Sequence, residues 1–301
     1  MPHQARVVTF TGAGAAPSEQ DALGQQDGLH DVLRTSGAEI RAESSAATGT
    51  YRITTLQVDA PADVTALRAA LAHWSSTAAT GVALVPPSVY APGPKLLIMD
   101  VDSTLIRQEV IELLAAHAGR EAEVAAVTEA AMRGELDFAR SLHARVKVLA
   151  GLPASVIDAV GERIELSAGA EALVNAYRDA GKSVGVVSGG FSQILAPLAE
   201  RLGLSFWKAN DLEIVNGVLT GRVSGAVVDR QEKERVLRAE AARAGVPLSA
   251  TVAVGDGAND LDMLTAAGLG VAYNAKPAVR AAADVALDLP DLDVVRHFAG
   301  V

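Results

Sequence analysis

The hydrophobic pattern turns on Leu96-Leu97-Ile98-Met99, an apolar run that ends directly in Asp100. It is entered from Pro94 and left through Asp102-Ser103-Thr104, which predicts a short strand buried on both faces of a parallel sheet. Beyond it, apolar residues recur at helical spacing and predict helices near 108–118, 121–133, 137–150 and 153–165, with no strand between them. Their expected interior is Ile111, Leu113, Leu114, Val124, Val127, Leu142, Val146 and Leu149. Strands and helices then alternate. A helix at 169–180, stopped by Gly181, precedes a strand at Ser183–Val187, a helix at 191–202 and a short strand at Leu204–Trp207. Asn216-Gly217 between apolar pairs signals a hairpin. A helix at 231–244, a strand at Thr251–Val254, a helix at 259–267 and a strand at Leu269–Ala272 complete the series. Such alternation predicts a doubly wound, mostly parallel α/β sheet with ligands beyond the carboxyl ends of its strands. The helical insertion after the first strand is a candidate lid.

The region before this core has its own rhythm. Val7, Val8 and Phe10 suggest a strand, and Leu29, Val32 and Leu33 a helix stopped by Gly37. Ile40 to Ala42 and Tyr51 to Val58 read as strands, Val64, Leu67, Leu71 and Trp74 as one helix face, and Val82 to Val85 as a last strand. The order βαββαβ fits a ferredoxin-like α+β sandwich and resembles the small amino-acid-sensing ACT-type modules. An accessory packing or dimerisation role is the plainer reading. Residues 86–94, Pro-Pro-Ser-Val-Tyr-Ala-Pro-Gly-Pro, read as a stiff linker, because proline restricts itself and the residue before it. The expected division is therefore residues 1–85, a linker at 86–94, a core from 95–105 and 169–301, and a helical cap at 106–168.

Composition narrows the function. The 301 residues are half hydrophobic, enough for two or three cores. A formal charge of −10 argues against sequence-independent nucleic-acid binding, which needs basic surface. Without cysteine there are no disulfides or thiolate metal sites. No apolar run approaches the ~20 residues of a membrane span, and the N-terminus does not resemble a signal peptide. The expectation is a soluble cytoplasmic protein. The six histidines, at 3, 30, 73, 117, 143 and 297, show no metal-ligand spacing and read as surface residues.

Two carboxylates at the exit of a buried strand, Asp100 and Asp102, are costly unless a cation or donors compensate them. Further polar groups collect at other strand ends: Ser188-Gly189-Gly190, then Gly255-Asp256-Gly257-Ala258-Asn259-Asp260, with Lys233 between them in the chain. D-x-D-S-T, S-G-G, a lone lysine and G-D-G-A-N-D, in that order, resemble the haloacid-dehalogenase-type phosphatases, more closely the phosphoserine phosphatases, over about residues 95–298. Asp100 is then the nucleophile and Asp102 the general acid and base. The resemblance implies Mg²⁺ held by Asp100, Asp256 and the Asp102 backbone carbonyl, a sparse oxygen set that suits this ion. Ser188 and the amides of Gly189 and its neighbour offer an anion site, and Lys233 a point charge for phosphate. Asn259 and Asp260 support the site. Phosphoryl transfer needs mainly positioning and charge stabilisation, which this set supplies.

Substrate choice is expected from the insertion. Glu109 and Arg145 match the family positions that hold the amino group and carboxylate of phosphoserine, and arginine grips a carboxylate bidentately. Met132 and Phe138 match apolar cap positions. The resemblance thus implies Mg²⁺-dependent hydrolysis of O-phospho-L-serine through an aspartyl-phosphate, the last step of serine biosynthesis. The likeness of the N-terminal module to amino-acid-sensing domains suggests a place for a serine effector, and a homodimer through that module is expected. Other readings are a phosphatase for phosphohomoserine or phosphoethanolamine, a phospho-acceptor signalling domain, and a silent amino-acid sensor. G-D-G-A-N-D is no dinucleotide fingerprint, since it lacks G-x-G-x-x-G opening the first βα unit.

Overall fold

The computed structural model describes residues 3–15, 19–132 and 137–301. The chain opens with β1 (His3–Gly12), α1 (Glu19–Thr35), β2 (Glu39–Ala47), β3 (Tyr51–Ala60), α2 (Val64–Ala78) and β4 (Gly81–Val85). The four strands form an antiparallel sheet in the order β2-β3-β1-β4. Side chains alternate across a strand, so consecutive residues serve different cores. Ala5 and Val7 of β1 and Leu56 and Val58 of β3 pack with Leu29, Leu33, Leu67, Leu71 and Trp74 of the two helices. Val8 and Phe10, with Tyr51 and Ile53, face the other way and join the core of the following α/β unit. The Phe10 ring lies 5.7 Å from that of Phe298. Both faces of this sheet are thus covered, one by its own helices and one by the rest of the chain.

The proline-rich stretch at 86–94 is more than a spacer. Pro87–Tyr90 forms a helical turn, α3, with Val89 fully buried, and Arg6 stacks over the Tyr90 ring at 4.2 Å.

A seven-stranded sheet follows. Its strands are β5 (Leu96–Met99), β6 (Ser183–Phe191), β7 (Phe206–Val215), β8 (Val218–Ser224), β9 (Thr251–Gly255), β10 (Leu269–Tyr273) and β11 (Val285–Leu287). Their spatial order is β11-β10-β9-β5-β6-β7-β8, parallel except for the β7–β8 hairpin. β5 is central and wholly buried, as its four apolar residues require. Its neighbours, β6 and β9, come from distant parts of the chain and lie on opposite sides. The order of connection therefore reverses at β5, and the crevice beyond its carboxyl end is where such sheets bind ligands.

Between β5 and the next strand come α4 (Val110–His117), α5 (Glu121–Met132), α6 (Phe138–Val148), α7 (Ser155–Gly161) and α8 (Ala170–Asp179). The first four rise over the sheet from a neck in which Ile106 pairs with Leu166 and the Ser167 N–H donates to the Leu105 carbonyl at 3.0 Å. The far side of this insertion is tied to the hairpin: Gly151 N–H donates to Leu219 O, and Leu219 N–H to Leu152 O. α9 (Ser192–Leu202), α10 (Arg230–Arg243), α11 (Leu261–Ala266), α12 (Pro277–Ala282) and α13 (Val294–Ala299) complete the fold. No helix among the described residues is long and apolar enough to cross a membrane.

One expected surface histidine is placed differently. His297 on α13 is half-buried against the N-terminal sheet, with Nε2 2.9 Å from the Tyr51 hydroxyl, which donates to Asp293 at 2.6 Å. Tyr51 is a large buried phenol whose polar tip needs partners, and α13 supplies them.

Candidate active site

Asp100 leaves β5 at the crevice. Its N–H is held by the Val254 carbonyl of β9 at 2.9 Å, so the sheet itself fixes the backbone beneath the carboxylate. Asp100 is 4% exposed, and Oδ1 accepts the Val101 N–H and lies 2.7 Å from Lys233 Nζ. Lys233 is fully buried one turn into α10 and also meets Asp260 Oδ1 at 2.7 Å. Asp260 in turn uses Oδ2 to accept the Gly257 N–H at 3.0 Å. Asp256, at the end of β9, accepts from the Thr104 hydroxyl at 3.2 Å.

The chain turns sharply after Asp100, with Ser103 in the left-handed region at φ 56°. That turn swings Asp102 back over the crevice. Asp102 Oδ1 accepts the Val110 N–H at 2.8 Å, at the start of α4, and Oδ2 accepts the Ser188 hydroxyl at 3.0 Å. Ser188 Oγ is itself fixed by the Gly190 N–H at 2.7 Å. A side chain at residue 190 would put its Cβ 2.7 Å from Asp102 Oδ2 and 2.9 Å from Ser188 Oγ, so only glycine fits.

A cavity of about 190 Å³ opens here, lined on the core side by Asp100, Asp102, Gly189, Gly190, Asp256 and Asn259. The insertion supplies Glu109, Ile111, Phe138, Leu142 and Arg145 as its roof. Glu109 accepts from the Ser103 hydroxyl at 2.7 Å. The Phe138 ring packs where a Cβ on Gly189 would fall, 2.9 Å away. Ser188, Lys233 and Asp260 lie directly behind the lining rather than in it, and all three are buried. Met132 ends α5, and its side chain falls outside the described residues.

The electrostatics follow from this crowding. Burial, reinforced by Asp260, pushes Asp100 well above the usual carboxylate range against the pull of Lys233. Burial raises Asp102 despite the bonds from Val110 and Ser188. It lifts Asp256 to about 6, with Asp260 adding to it, and Glu109 to about 7, with help from the charge of Asp102. Burial opposes the charge of Lys233, yet Asp100 and Asp260 hold its pKa above the ordinary value. Burial lowers Arg145, with Glu109 and Asp102 opposing. Asp100, Asp256 and Asp260 each offer an oxygen within 4.8 Å of the others, an all-oxygen set that fits a hard divalent cation.

The sequence-identified residues therefore meet at one place, apart from the undescribed Met132 side chain. Thr104 holds Asp256, a role that its place in D-x-D-S-T does not disclose; the available signal is a hydroxyl two residues beyond the second aspartate. The need for glycine at 190 is likewise tertiary, and the doubled glycine is its signal in the sequence.

Comparisons with known proteins place the chain in a family. The family model for haloacid dehalogenase-like hydrolases matches residues 97–265, more than half of the chain. A phosphoserine phosphatase of Streptomyces coelicolor is 59% identical over 235 residues, 78% of this chain and 57% of that protein. One from Mycobacterium tuberculosis is 59% identical over 207 residues, 69% of this chain and 51% of that protein. The chain thus spans about half the length of these two relatives. A phosphoserine phosphatase solved as a phospho-aspartyl intermediate analogue superposes with a TM-score of 0.65 at 40% identity, over 68% of this chain and 99% of that one.

Proposed function

The chain belongs to the haloacid dehalogenase-like hydrolases, and on that premise we propose that it is a Mg²⁺-dependent phosphoserine phosphatase. The observation that carries this reading is the composition of one cavity. A carboxylate pair, Asp100 and Asp102, faces Glu109 and Arg145 across about 190 Å³, room for a small zwitterion.

In this reading Arg145 takes the substrate carboxylate and Glu109 its ammonium, while Phe138 and Leu142 close over the carbon chain. Glu109 suits its task because an ammonium beside it reverses the effect of burial and keeps it ionised. Asp100 attacks phosphorus, and the bond from phosphorus to the serine oxygen breaks. Asp102, whose buried site favours the protonated form, gives its proton to that leaving oxygen. The ionised Asp102 then takes a proton from the water that attacks the aspartyl-phosphate, and phosphate leaves. Ser188 and the Gly189 amide hold the phosphoryl oxygens, with the Gly190 N–H fixing Ser188 Oγ and Lys233 as the nearby positive charge. Asp100, Asp256 and the Asp102 carbonyl would hold Mg²⁺, with Asp260 and Asn259 in support; bound there, the ion would supply positive charge that favours the ionised form of Asp100 and offsets the charge of the phosphoryl group.

The reading extends to the rest of the molecule. The sandwich of residues 1–85 is taken as ACT-like, a place for a serine effector and for homodimer contacts. Its four-stranded antiparallel sheet with two helices on one face supports this. The reaction is the last step of serine biosynthesis, a cytoplasmic task. Phosphate release from L-phosphoserine, measured against a panel of phosphomonoesters with and without Mg²⁺, tests the proposal, with Asp100→Asn as control. Equal rates across the panel, or full activity in the control, would overturn it.

A further inference from the structure

Asn210 sits in β7, 2% exposed, and its side-chain amide leaves the strand in two directions. Nδ2 donates to the Gly189 carbonyl at 2.8 Å, and Oδ1 accepts the Val228 N–H at 2.8 Å. Gly189 lines the cavity, and Val228 leads into the helix that carries Lys233 behind that lining.

The Gly189 carbonyl and the Gly190 N–H lie in one planar peptide unit, so fixing the oxygen fixes the direction of the N–H. That N–H holds Ser188 Oγ, and Ser188 Oγ holds Asp102 Oδ2. Glycines on both sides leave this peptide free to flip, because neither has a Cβ to restrain it. The second bond works behind the lining. Val228 precedes Asp229, whose carboxylate accepts the Glu232 N–H at 2.9 Å and starts α10. Lys233 follows one turn later, and its N–H donates to the Asp229 carbonyl at 3.0 Å.

We propose that Asn210 is a positioning residue that sets the Ser188–Gly190 turn and the start of the Lys233 helix in register with each other around a phosphate. This rests on the phosphatase reading above. A primary amide suits the position because it gives one donor and one acceptor from a single rigid plane. Aspartate has the same shape but, when ionised, turns an acceptor toward the Gly189 carbonyl. Serine is shorter and has one polar atom where the amide uses two, so it cannot reproduce both bonds at their present geometry.

The test compares wild type, Asn210→Asp and Asn210→Ser in Mg²⁺. Melting curves confirm the fold, and steady-state kinetics on phosphoserine, competitive inhibition by inorganic phosphate and phosphate binding by calorimetry supply the readouts. Losing one of these buried bonds is expected to weaken phosphate binding about tenfold, with a matching rise in KM and a further fall in kcat. A merely structural role would reduce the active fraction, lowering kcat alone and leaving KM and phosphate affinity at wild-type values. That pattern, or no change at all, overturns the proposal, and Asn210→Ser carries the test should the aspartate variant not fold. Wild type that binds phosphate but releases none from phosphoserine would sink the substrate reading, while the Asn210 comparison still stands on phosphate affinity. Wild type that binds no phosphate would sink both.

Discussion

Lys233→Met removes the only charge compensation that the described residues give Asp100 and Asp260, and methionine nearly matches the lysine stem in volume. Both carboxylates lie 2.7 Å from Nζ, and Lys233 and Asp260 are fully buried. Coulomb attraction at that distance is about 6 kcal/mol per pair at an effective dielectric of ~20. Most of it offsets the cost of burying the ammonium, so the net loss on removing one partner should be about 3–5 kcal/mol. For a domain of this size that lowers the melting temperature by roughly 6–20 °C.

The loss should depend on pH, with a definite sign. Asp100 already has a folded pKa above its unfolded value, so the stability it contributes is present below the usual carboxylate range and lost as pH rises through the folded value. Without the lysine that pKa rises further, and the penalty deepens toward pH 8. Lys233 titrates far above this window, because its folded pKa is also raised, so its own ionisation adds no slope. Thermal unfolding in EDTA at pH 5.5 and pH 8 is the assay, with Asp260→Asn added to the methionine variant as a second step. We expect a larger deficit at pH 8 and partial recovery in the double variant. A melting temperature within about 2 °C of wild type, or one equal deficit at both pH values, would refute the reasoning.

Four other outcomes are expected. Gly190→Ala should keep its circular dichroism and lose on the order of 100-fold in kcat, because the new methyl displaces Asp102 or Ser188. Arg145→Ala should cost ~10–100-fold in kcat/KM on phosphoserine and little on phosphoethanolamine, which has no carboxylate; equal losses would contradict its role. Tyr51→Phe strands the partners of its hydroxyl, Asp293 and His297, and should cost about 1–3 kcal/mol in urea unfolding. Metal removal should matter more at high pH. Asp256, raised to about 6, and Glu109, raised to about 7, make the folded metal-free state bind more protons than the unfolded one, so its melting temperature should fall from pH 5 to 8 and Mg²⁺ should flatten that slope.

Much of this site could be read from the chain because its chemistry is attached to local signals. Asp100 and Asp102 follow an apolar run too short for a helix, and Ser188 and Asp256 end two more such runs. Once three strand ends are known to be parallel, their polar residues must converge. Lys233 is different: in a helix beginning Arg-Gln-Glu-Lys-Glu-Arg it reads as surface, and only its place in the motif series marks it. Its complete burial comes from lying between two carboxylates, a tertiary fact. Elements of three to six residues, such as β11, α12 and α13, carry too few positions to display a period, and their formation depends on the sheet they complete.

The N-terminal sheet shows the same limit from another side. Tyr51 and Ile53 alternate with Arg52 as a half-buried strand should, which suggests one covered face and one wet face. Both faces are in fact covered, because Val8, Phe10, Tyr51 and Ile53 close on Phe298 and its neighbours. A strand pattern states which residues avoid water, not what covers them. Polar residues carry still less of that information: Asn210 and His297 sit in stretches whose composition gives no hint of a buried partner. Asn210 is held by backbone groups of residues 189 and 228, and His297 meets a hydroxyl from residue 51. A buried polar side chain must find such partners, and the fold decides which they are. Motifs therefore locate the reacting groups, while the groups that aim them become visible only when distant strands are brought side by side.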